Sequence, residues 1–271
     1  MTRRMIGWTA GLCLALLIPS TAGAQEDDAK LVKLAEPDFT LVALPTSLRL
    51  PQFGSAFRVT HRFTRALNDG DFGDLASDLF GIDSGAQIGL EYRFGIIPNG
   101  QIGIHRTSNR TIELFSQYDV LRQGGRMPVE ISALFTIDGT NNFRDSYSPA
   151  IGAIVSRTIG EVAALYFEPI WVNNSNQLPS ELTDDNDTFL FGIGGRLRIR
   201  PTVYVVGEYI PRIGYSPGVD HLTFGVEKRA GGHVFQINFS NNIGTTPAQI
   251  ARGGFDNEDW YIGFNISRKF F

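Results

Sequence analysis

The chain has 271 residues, of which 42% are hydrophobic, 11% aromatic and 19% charged, and its formal net charge is −4. The aromatic content excludes a disordered chain, and the acidic balance argues against nucleic-acid binding, which requires a basic surface. The composition also excludes a polytopic helical membrane protein, because such a protein needs several apolar runs of ~20 residues.

The N-terminus has the features of a secretory signal peptide. Arg3 and Arg4 precede an apolar run over residues 5–18, which is short for a bilayer span. Small side chains follow this run, so we expect export and cleavage after Ala24. The single cysteine, Cys13, lies within the signal, and the mature chain is therefore expected to contain no disulfide.

Three regions follow from the pattern along the chain. Residues 1–24 are predicted to be the signal peptide. Residues 25–52 are polar and punctuated by prolines such as Pro37 and Pro45, and they are predicted to form a periplasmic lead-in segment. Residues 53–271 are predicted to form one membrane domain.

Alternation of apolar and polar residues dominates the third region. Residues 86–96, for example, place Leu90 and Tyr92 on one face and Glu91 and Arg93 on the other. Because side chains alternate across a strand, this pattern indicates a strand with one apolar face. The same pattern predicts about twelve strands, near residues 55–64, 86–96, 101–106, 111–120, 129–137, 150–158, 162–172, 188–200, 202–210, 221–229, 233–241 and 259–270.

The connections between the predicted strands alternate in length. Tight turns at one end and long loops at the other are typical of outer-membrane barrels with an even number of strands. We therefore predict an all-β fold, a single antiparallel up-and-down transmembrane β-barrel of about 12 strands in the bacterial outer membrane. The tight turns are 97–100, 159–161, 200–202 and 229–232, and the long loops are 65–83, 138–148, 173–187, 211–220 and 241–258. The exception is 107–110, which is short where the alternation predicts a long loop. Helical turns are expected at 72–80 and 247–252.

Periodicity alone does not say which face of the sheet points outward. A soluble β-sandwich or a lipocalin-like barrel, with its apolar face inward, is therefore the alternative. Two features favour the membrane barrel: glycines and charges of both signs on the polar face suit a crowded lumen, and aromatic residues at strand ends suit interfacial girdles.

The last strand predicts two partners, the outer-membrane lipid and the barrel-assembly machinery. Its apolar residues alternate and it ends in an aromatic residue, which is the form of signal that this machinery reads. The residues assigned to the signal are Trp260, Ile262, Phe264, Ile266, Phe270 and Phe271.

Several stretches resemble a known family. They are HRF at 61–63, LFGIDSGAQIGLEYRFGI at 79–96, GIHRTSNRTIELFSQYDVLRQ at 103–123, HVFQINFSNNIGTTPAQI at 233–250 and IGFNISRKF at 262–270. Together they resemble an uncharacterised bacterial outer-membrane β-barrel family, domain-of-unknown-function family 5777. The resemblance implies an exported β-barrel of unknown activity, and it carries no catalytic residues to this chain.

The polar face is predicted to line the lumen. Twelve tilted strands close at a radius of roughly 12 Å, so inward side chains leave only a narrow bore. Two functions stay open: a narrow or gated pore for small polar solutes, with selectivity set by charge, and a surface or lumen binding or structural barrel with a plugged, charge-paired lumen. The candidate lumen residues are Arg58, Arg62, Glu91, Arg93, Glu113, Asp119, Glu130, Glu168, Arg196, Arg198, Glu208 and Glu227.

A membrane phospholipase-like hydrolase is the remote alternative. His61 and Ser116 both fall on the apolar face, but they lie on the first and fourth predicted strands, and a nucleophile must contact its base. We therefore predict no enzymatic activity and no cofactor. The acidic runs at 184–187 and 256–259 lack the spacing of a calcium loop, so no metal site is predicted.

Overall fold

The computed structural model describes residues 33–176, 178, 186–214, 218–254 and 258–270. The predicted signal peptide and its cleavage site lie outside these residues. Twelve long strands form the described sheet: β1 (Ser55–Phe63), β2 (Ala86–Ile97), β3 (Gly100–Thr107), β4 (Ile112–Leu121), β5 (Glu130–Gly139), β6 (Asp145–Ile159), β7 (Ala163–Val172), β8 (Thr188–Arg200), β9 (Val203–Ile210), β10 (His221–Ala230), β11 (His233–Ser240) and β12 (Tyr261–Phe270).

The strands close into an up-and-down barrel, as predicted. Each strand pairs with its neighbours in sequence, and β1 pairs with β12 from Ser55 opposite Phe270 to Arg62 opposite Gly263. After Pro211, the pair Arg212–Ile213 continues β9 and stays hydrogen-bonded to β8. Because the ladder closes on itself, no edge strand is left in the described sheet, and a bilayer requires this closure.

The outer surface of the barrel is apolar and its interior is polar. Outward side chains such as Leu90, Ile193 and Ile237 are 49%, 52% and 61% exposed, whereas inward Thr60 and Glu227 are fully buried. This distribution is the reverse of that in a soluble sandwich or lipocalin-like barrel, and it places lipid against the outer face. The soluble alternative is therefore wrong.

A charge on the outer face is expected to destabilise the barrel. Ile193 lies near the middle of β8, so Ile193→Arg should lower the free energy of unfolding by about 2–4 kcal/mol in vesicles. Ile193→Ala is the control, because it removes the same side chain without adding charge. Urea unfolding followed by gel mobility measures both variants, and equal effects of the two would contradict the lipid-facing assignment.

One predicted loop is much shorter than expected. The sequence predicts a long connection over 138–148, but β5 and β6 pair as far as Gly139 opposite Tyr147. A left-handed turn at Thr140–Phe143 joins them, with Asn141 and Asn142 at φ 50° and 58°. Asparagine tolerates this conformation better than most residues, which lets polar residues make a tight turn where their composition predicts a loop.

Two short helices lie in the loops, close to where the sequence predicts helical turns. Helix α1 (Phe72–Ser77) begins with a capping box between Asp71 and Asp74. Nearby, Arg65 donates to Asp78, and this hydrogen bond lowers the pKa of the Asp78 carboxyl. Helix α2 (Pro247–Ala251) is buried. No helix in the described residues is long and apolar enough to span a membrane.

The largest difference from the sequence-based expectation concerns the predicted periplasmic lead-in segment, residues 25–52. Its described part does not lie outside the barrel: residues 33–50, hereafter the plug, run inside it. Leu41 and Val42 are fully buried, and the plug contacts wall residues on both sides of the lumen, including Glu208 on β9 and Gln101 on β3. The physical reason is that polar inward side chains supply hydrogen bonds to the main chain of this segment, which is not part of the ladder of wall strands.

Candidate functional site: the plugged lumen

The plug folds into a hairpin inside the lumen. Thr40 bridges to Pro45, Leu41 donates its amide to the carbonyl of Leu44 at 2.8 Å, and Thr46 donates to the carbonyl of Phe39 at 2.8 Å. The apex of this hairpin, residues 41–44, is its deepest part and is hereafter the plug apex.

One wall carboxylate holds the plug apex. Glu208 on β9 accepts the amides of Val42, Ala43 and Leu44 at 3.2, 2.7 and 3.0 Å. His221 on β10 contacts the same carboxylate at 3.3 Å. Consecutive amides converging on an anion form a nest, and hydrogen bonds to a charged acceptor are the strong ones. Glu208 is therefore the main anchor of the plug apex.

Side chains from other strands hold the carbonyls of the hairpin. These donors come from β1, β8, β11 and β12, so the hairpin is held from several directions. Arg196 donates to Thr40 at 2.7 Å, Gln236 donates to Leu41 at 2.7 Å, and Arg58 and Asn265 donate to Val42 at 2.5 and 3.2 Å.

Ion pairs fix the plug where it enters the barrel. Lys33 pairs with Glu130 at 2.7 Å and Arg49 pairs with Asp119 at 2.6 Å. Ser47 lies 2.7 Å from Ser156 on β6, measured between the two hydroxyl oxygens. These contacts lie near the end of the barrel that carries the tight turns, hereafter the short-turn end.

The loop between β11 and β12 closes the opposite end. In this loop, Thr246 donates to Asp138 at 2.6 Å, and Gln249 donates to Thr107 at 3.3 Å. Gln87 donates to the carbonyl of Ile243 at 3.0 Å. Helix α2 in the same loop packs into the apolar cluster that contains Leu41. The lumen is thus filled from both ends.

A small cavity lies between the plug and this loop. Its volume is about 30 Å³, and its lining includes Arg58, Glu91, His105 and Glu113. A cavity of this size holds about one or two water molecules. The plug and the loop thus occupy much of the lumen between the described strands.

Eleven of the twelve candidate lumen residues are buried inside the barrel. The exception is Arg198, which lies at the short-turn end, 3.6 Å from the exposed Glu161, because β8 bulges between Arg198 and Arg200. The buried ones are Arg58, Arg62, Glu91, Arg93, Glu113, Asp119, Glu130, Glu168, Arg196, Glu208 and Glu227.

Several of these charges pair within the wall. Arg196 donates twice to Glu227, at 2.7 and 2.9 Å, although β9 separates their strands. Glu91 accepts from Arg58 at 3.4 Å and from Arg93 at 3.0 Å. Glu168 is different: among the residues that the structure describes, neither of its carboxylate oxygens has a hydrogen-bond partner.

Sequence reasoning missed the whole plug and several wall residues, among them Lys269 and Asp138. Lys269 faces inward and donates to the carbonyl of Pro37, and Asp138 faces the loop that carries α2. Lys269 is in phase with Asn265 and Ser267 on β12, so strand parity is the signal that could have found it. No strand parity marks the plug.

The hydrolase alternative finds no catalytic pair. His61 stacks on Phe264 with ring centroids 4.6 Å apart, whereas Ser116 lies on β4, with two strands between them. No group of three potential metal ligands occurs in the described residues, and half of the two acidic runs, residues 184, 185, 256 and 257, lies outside them.

The predicted assembly signal faces outward on and beside the last strand. Trp260 precedes β12 and contacts Phe224, and Phe271 lies outside the described residues. Within β12, the signal residues at outward positions are Ile262, Phe264, Ile266 and Phe270, and Arg268 lies between the last two on the same face.

A closed ring of strands with an apolar exterior and a polar, filled lumen defines a transmembrane β-barrel of the outer-membrane type. The chain belongs to the family described as membrane bound beta barrel domain (DUF5777), whose model matches residues 40–270. The match begins within the hairpin, so the plug apex belongs to the family's domain.

Several solved structures are similar to this chain at low sequence identity. The NanC porin superposes with a TM-score of 0.55 at 7% identity, covering 80% of this chain and 99% of the porin. The COG4313 outer membrane channel from Pseudomonas putida F1 has a TM-score of 0.49 at 10% identity, covering 82% and 97% of the two chains. LpxR from Salmonella typhimurium has a TM-score of 0.40 at 12% identity, covering 80% and 99%. No curated protein matches the sequence.

Proposed function

We propose that this protein is a non-enzymatic outer-membrane channel for small polar solutes, closed by its plug and opened when the plug withdraws. The observation that carries the proposal is that a segment continuous with β1 fills the bore, held largely by hydrogen bonds between its main chain and wall side chains such as Glu208 and Arg196. The fold shared with the NanC porin supports it.

Polar contacts suit a reversible plug. A hydrogen bond between neutral groups adds about 0.5–1.5 kcal/mol net, and one to a charged group such as Glu208 or Arg196 adds about 1.5–3 kcal/mol, because water replaces each bond when the partners separate. Many of the wall side chains that the plug would release are polar or charged, so water would solvate them in an open bore, and the apolar cluster around Leu41 lines only part of the wall. An apolar bore, by contrast, would resist wetting.

The path of the chain allows withdrawal without threading. Lys33, where the described plug begins, pairs with the first residue of β5, and Phe53 donates its amide to Gly95 near the end of β2. Both contacts lie at the short-turn end, which we propose to be periplasmic. The hairpin can therefore leave as it entered, while the loop carrying α2 narrows the other mouth and limits solute size.

A disulfide lock tests the proposal. The only cysteine of the chain is Cys13 in the predicted signal, so Ser47→Cys with Ser156→Cys creates the only pair in the mature chain. Their hydroxyl oxygens are 2.7 Å apart, a spacing that favours disulfide formation. In planar bilayers we expect rare openings of wild type, none of the oxidised double variant, and wild-type behaviour after reduction.

A second variant tests the opposite direction. Leu41→Asp with Leu44→Asp places two acids beside Glu168 and Glu208, so repulsion should expel the plug apex and raise the open probability at least tenfold. The single Ser156→Cys variant is the control for the lock. Two outcomes would favour the structural barrel with a permanent plug. One is channel openings that persist in the oxidised double cysteine variant, and the other is a Leu41→Asp, Leu44→Asp variant that folds but conducts no current.

A further inference from the structure

We propose that Glu168 and Glu208 form a binding site for an aliphatic ammonium ion, which the plug apex occupies in the closed barrel. The inference rests on the proposed function, because plug withdrawal is what would open the site to a solute. It names the solute class that the channel would bind: an amine whose protonated nitrogen carries an alkyl chain.

The site is a notch in the wall with a glycine floor. Glu168 on β7 is directly opposite Gly192 on β8, and Glu208 on β9 is directly opposite Gly194. The two glycines occupy consecutive inward positions of β8, so no side chain separates the two carboxylates. Hereafter these four residues are the notch.

The plug apex fills the notch as an alkyl ammonium ion would. A methyl group of Leu44 lies 2.7 Å from the position that a Cβ added to Gly192 would take. A methyl group of Leu41 lies similarly close to the position that a Cβ added to Gly194 would take. The apex also directs three amide donors at Glu208. Aliphatic groups and N–H donors thus reach the notch together. These are the two parts of an alkyl ammonium ion.

The plug leaves half of the notch unsatisfied. Glu168 is 0% exposed, and in the described part of the chain neither of its oxygens has a hydrogen-bond partner. A buried carboxylate without a donor is costly and rare. The position of Glu168 opposite a glycine is explained if the partner of its carboxylate is a cation that enters after the plug leaves.

The surroundings favour an alkyl cation over a hydrated inorganic ion. Along β7, Tyr166 and Ile170 flank Glu168 on the inward face, and along β9, Val206 and Ile210 flank Glu208. All four side chains are buried. The apolar flanks would pack against methylene groups, while two carboxylates exclude anions.

Chemical rescue in the closed barrel tests the site. Leu44→Ala opens space beside Glu168, and n-butylammonium should fill it and raise the thermal unfolding midpoint by about 3–6 °C at ten times its Kd. Uncharged 1-butanol should give less than a third of that shift, and Leu44→Ala with Glu168→Gln should give none. Glu113→Gln in the Leu44→Ala background is the matched control, because Glu113 is a buried lumen acid outside the notch, and it should keep the shift.

A tethered cation provides the second test. Leu44→Lys places an ammonium group beside Glu168. Adding Glu168→Gln should lower the unfolding midpoint of the Leu44→Lys variant more than the same substitution lowers the midpoint of the Leu44→Met variant. Equal shifts with butanol and butylammonium, or equal effects of Glu168→Gln in the Lys and Met variants, would overturn the site. Neither test needs an open channel, so failure here is distinguishable from silence in the bilayer recordings, which would overturn the proposed function.

Discussion

Arg196→Ala is expected to lower the free energy of unfolding by about 3–5 kcal/mol, the range for breaking a buried ion pair from one side. Arg196 and Glu227 are both buried and share two hydrogen bonds of 2.7 and 2.9 Å. The guanidinium also holds the carbonyl of Thr40 at 2.7 Å. Removing it leaves a carboxylate without its cation and releases one strand of the hairpin. Urea unfolding in lipid vesicles measures the change.

Arg198→Ala is the matched control for this prediction. It removes the same charge two residues away on β8, but its partner Glu161 is 72% exposed, and pairs of this kind contribute about 0–1 kcal/mol. Replacing both Arg196 and Glu227 with methionine and leucine should restore most of the lost stability, because the unpaired charge is then gone. Similar losses for Arg196→Ala and Arg198→Ala would contradict the buried pair.

Glu208→Ala is expected to release the plug apex. The substitution leaves the three amides of residues 42–44 without their acceptor, and each unpaired buried donor costs about 1–3 kcal/mol. Hydrogen exchange of these amides should accelerate roughly thirtyfold or more, since about 2 kcal/mol corresponds to this factor. Mass spectrometry of peptides covering residues 38–46 in detergent measures the exchange.

Glu113→Gln is the control for the plug anchor. Glu113 is buried in the same lumen, but its described charged contact is with His105 at 3.5 Å and not with the plug. Its substitution should therefore leave the exchange of residues 42–44 unchanged. Fast exchange of these amides in wild type, or no acceleration in Glu208→Ala, would show that the carboxylate does not hold the apex.

The two predictions address different elements of the closed state. Arg196 links the wall across β8 and β10 and reaches the plug only through Thr40. Glu208 anchors the plug directly and makes its wall contact with His221. We expect Arg196→Ala to cause the larger loss in the free energy of unfolding and Glu208→Ala to cause the larger change in hydrogen exchange of the plug apex. This outcome would show that the two residues stabilise different elements, the wall and the plug.

The barrel could be predicted from local patterns in the sequence. Alternation with a period of two is a local property of each strand, so residues such as Leu90 and Glu91 are assigned to opposite faces without any tertiary information. The same parity placed eleven candidate charges inside. Once β1 and β2 are aligned, the same parity also predicts that Arg58 lies directly opposite Glu91.

The filling of the lumen depends on contacts between residues that are distant in the sequence. Leu44 and Glu208 are 164 positions apart, and no strand periodicity in the proline-marked segment 33–50 distinguishes a plug from a tail outside the barrel. Likewise, Arg196 meets Glu227 across an intervening strand, and Glu168 is left opposite Gly192 without a donor. These contacts exist because closing the sheet brings inward side chains from distant strands within reach of one another and of a single inserted hairpin. Strand periodicity specifies which way a side chain points, but not what it meets across the lumen.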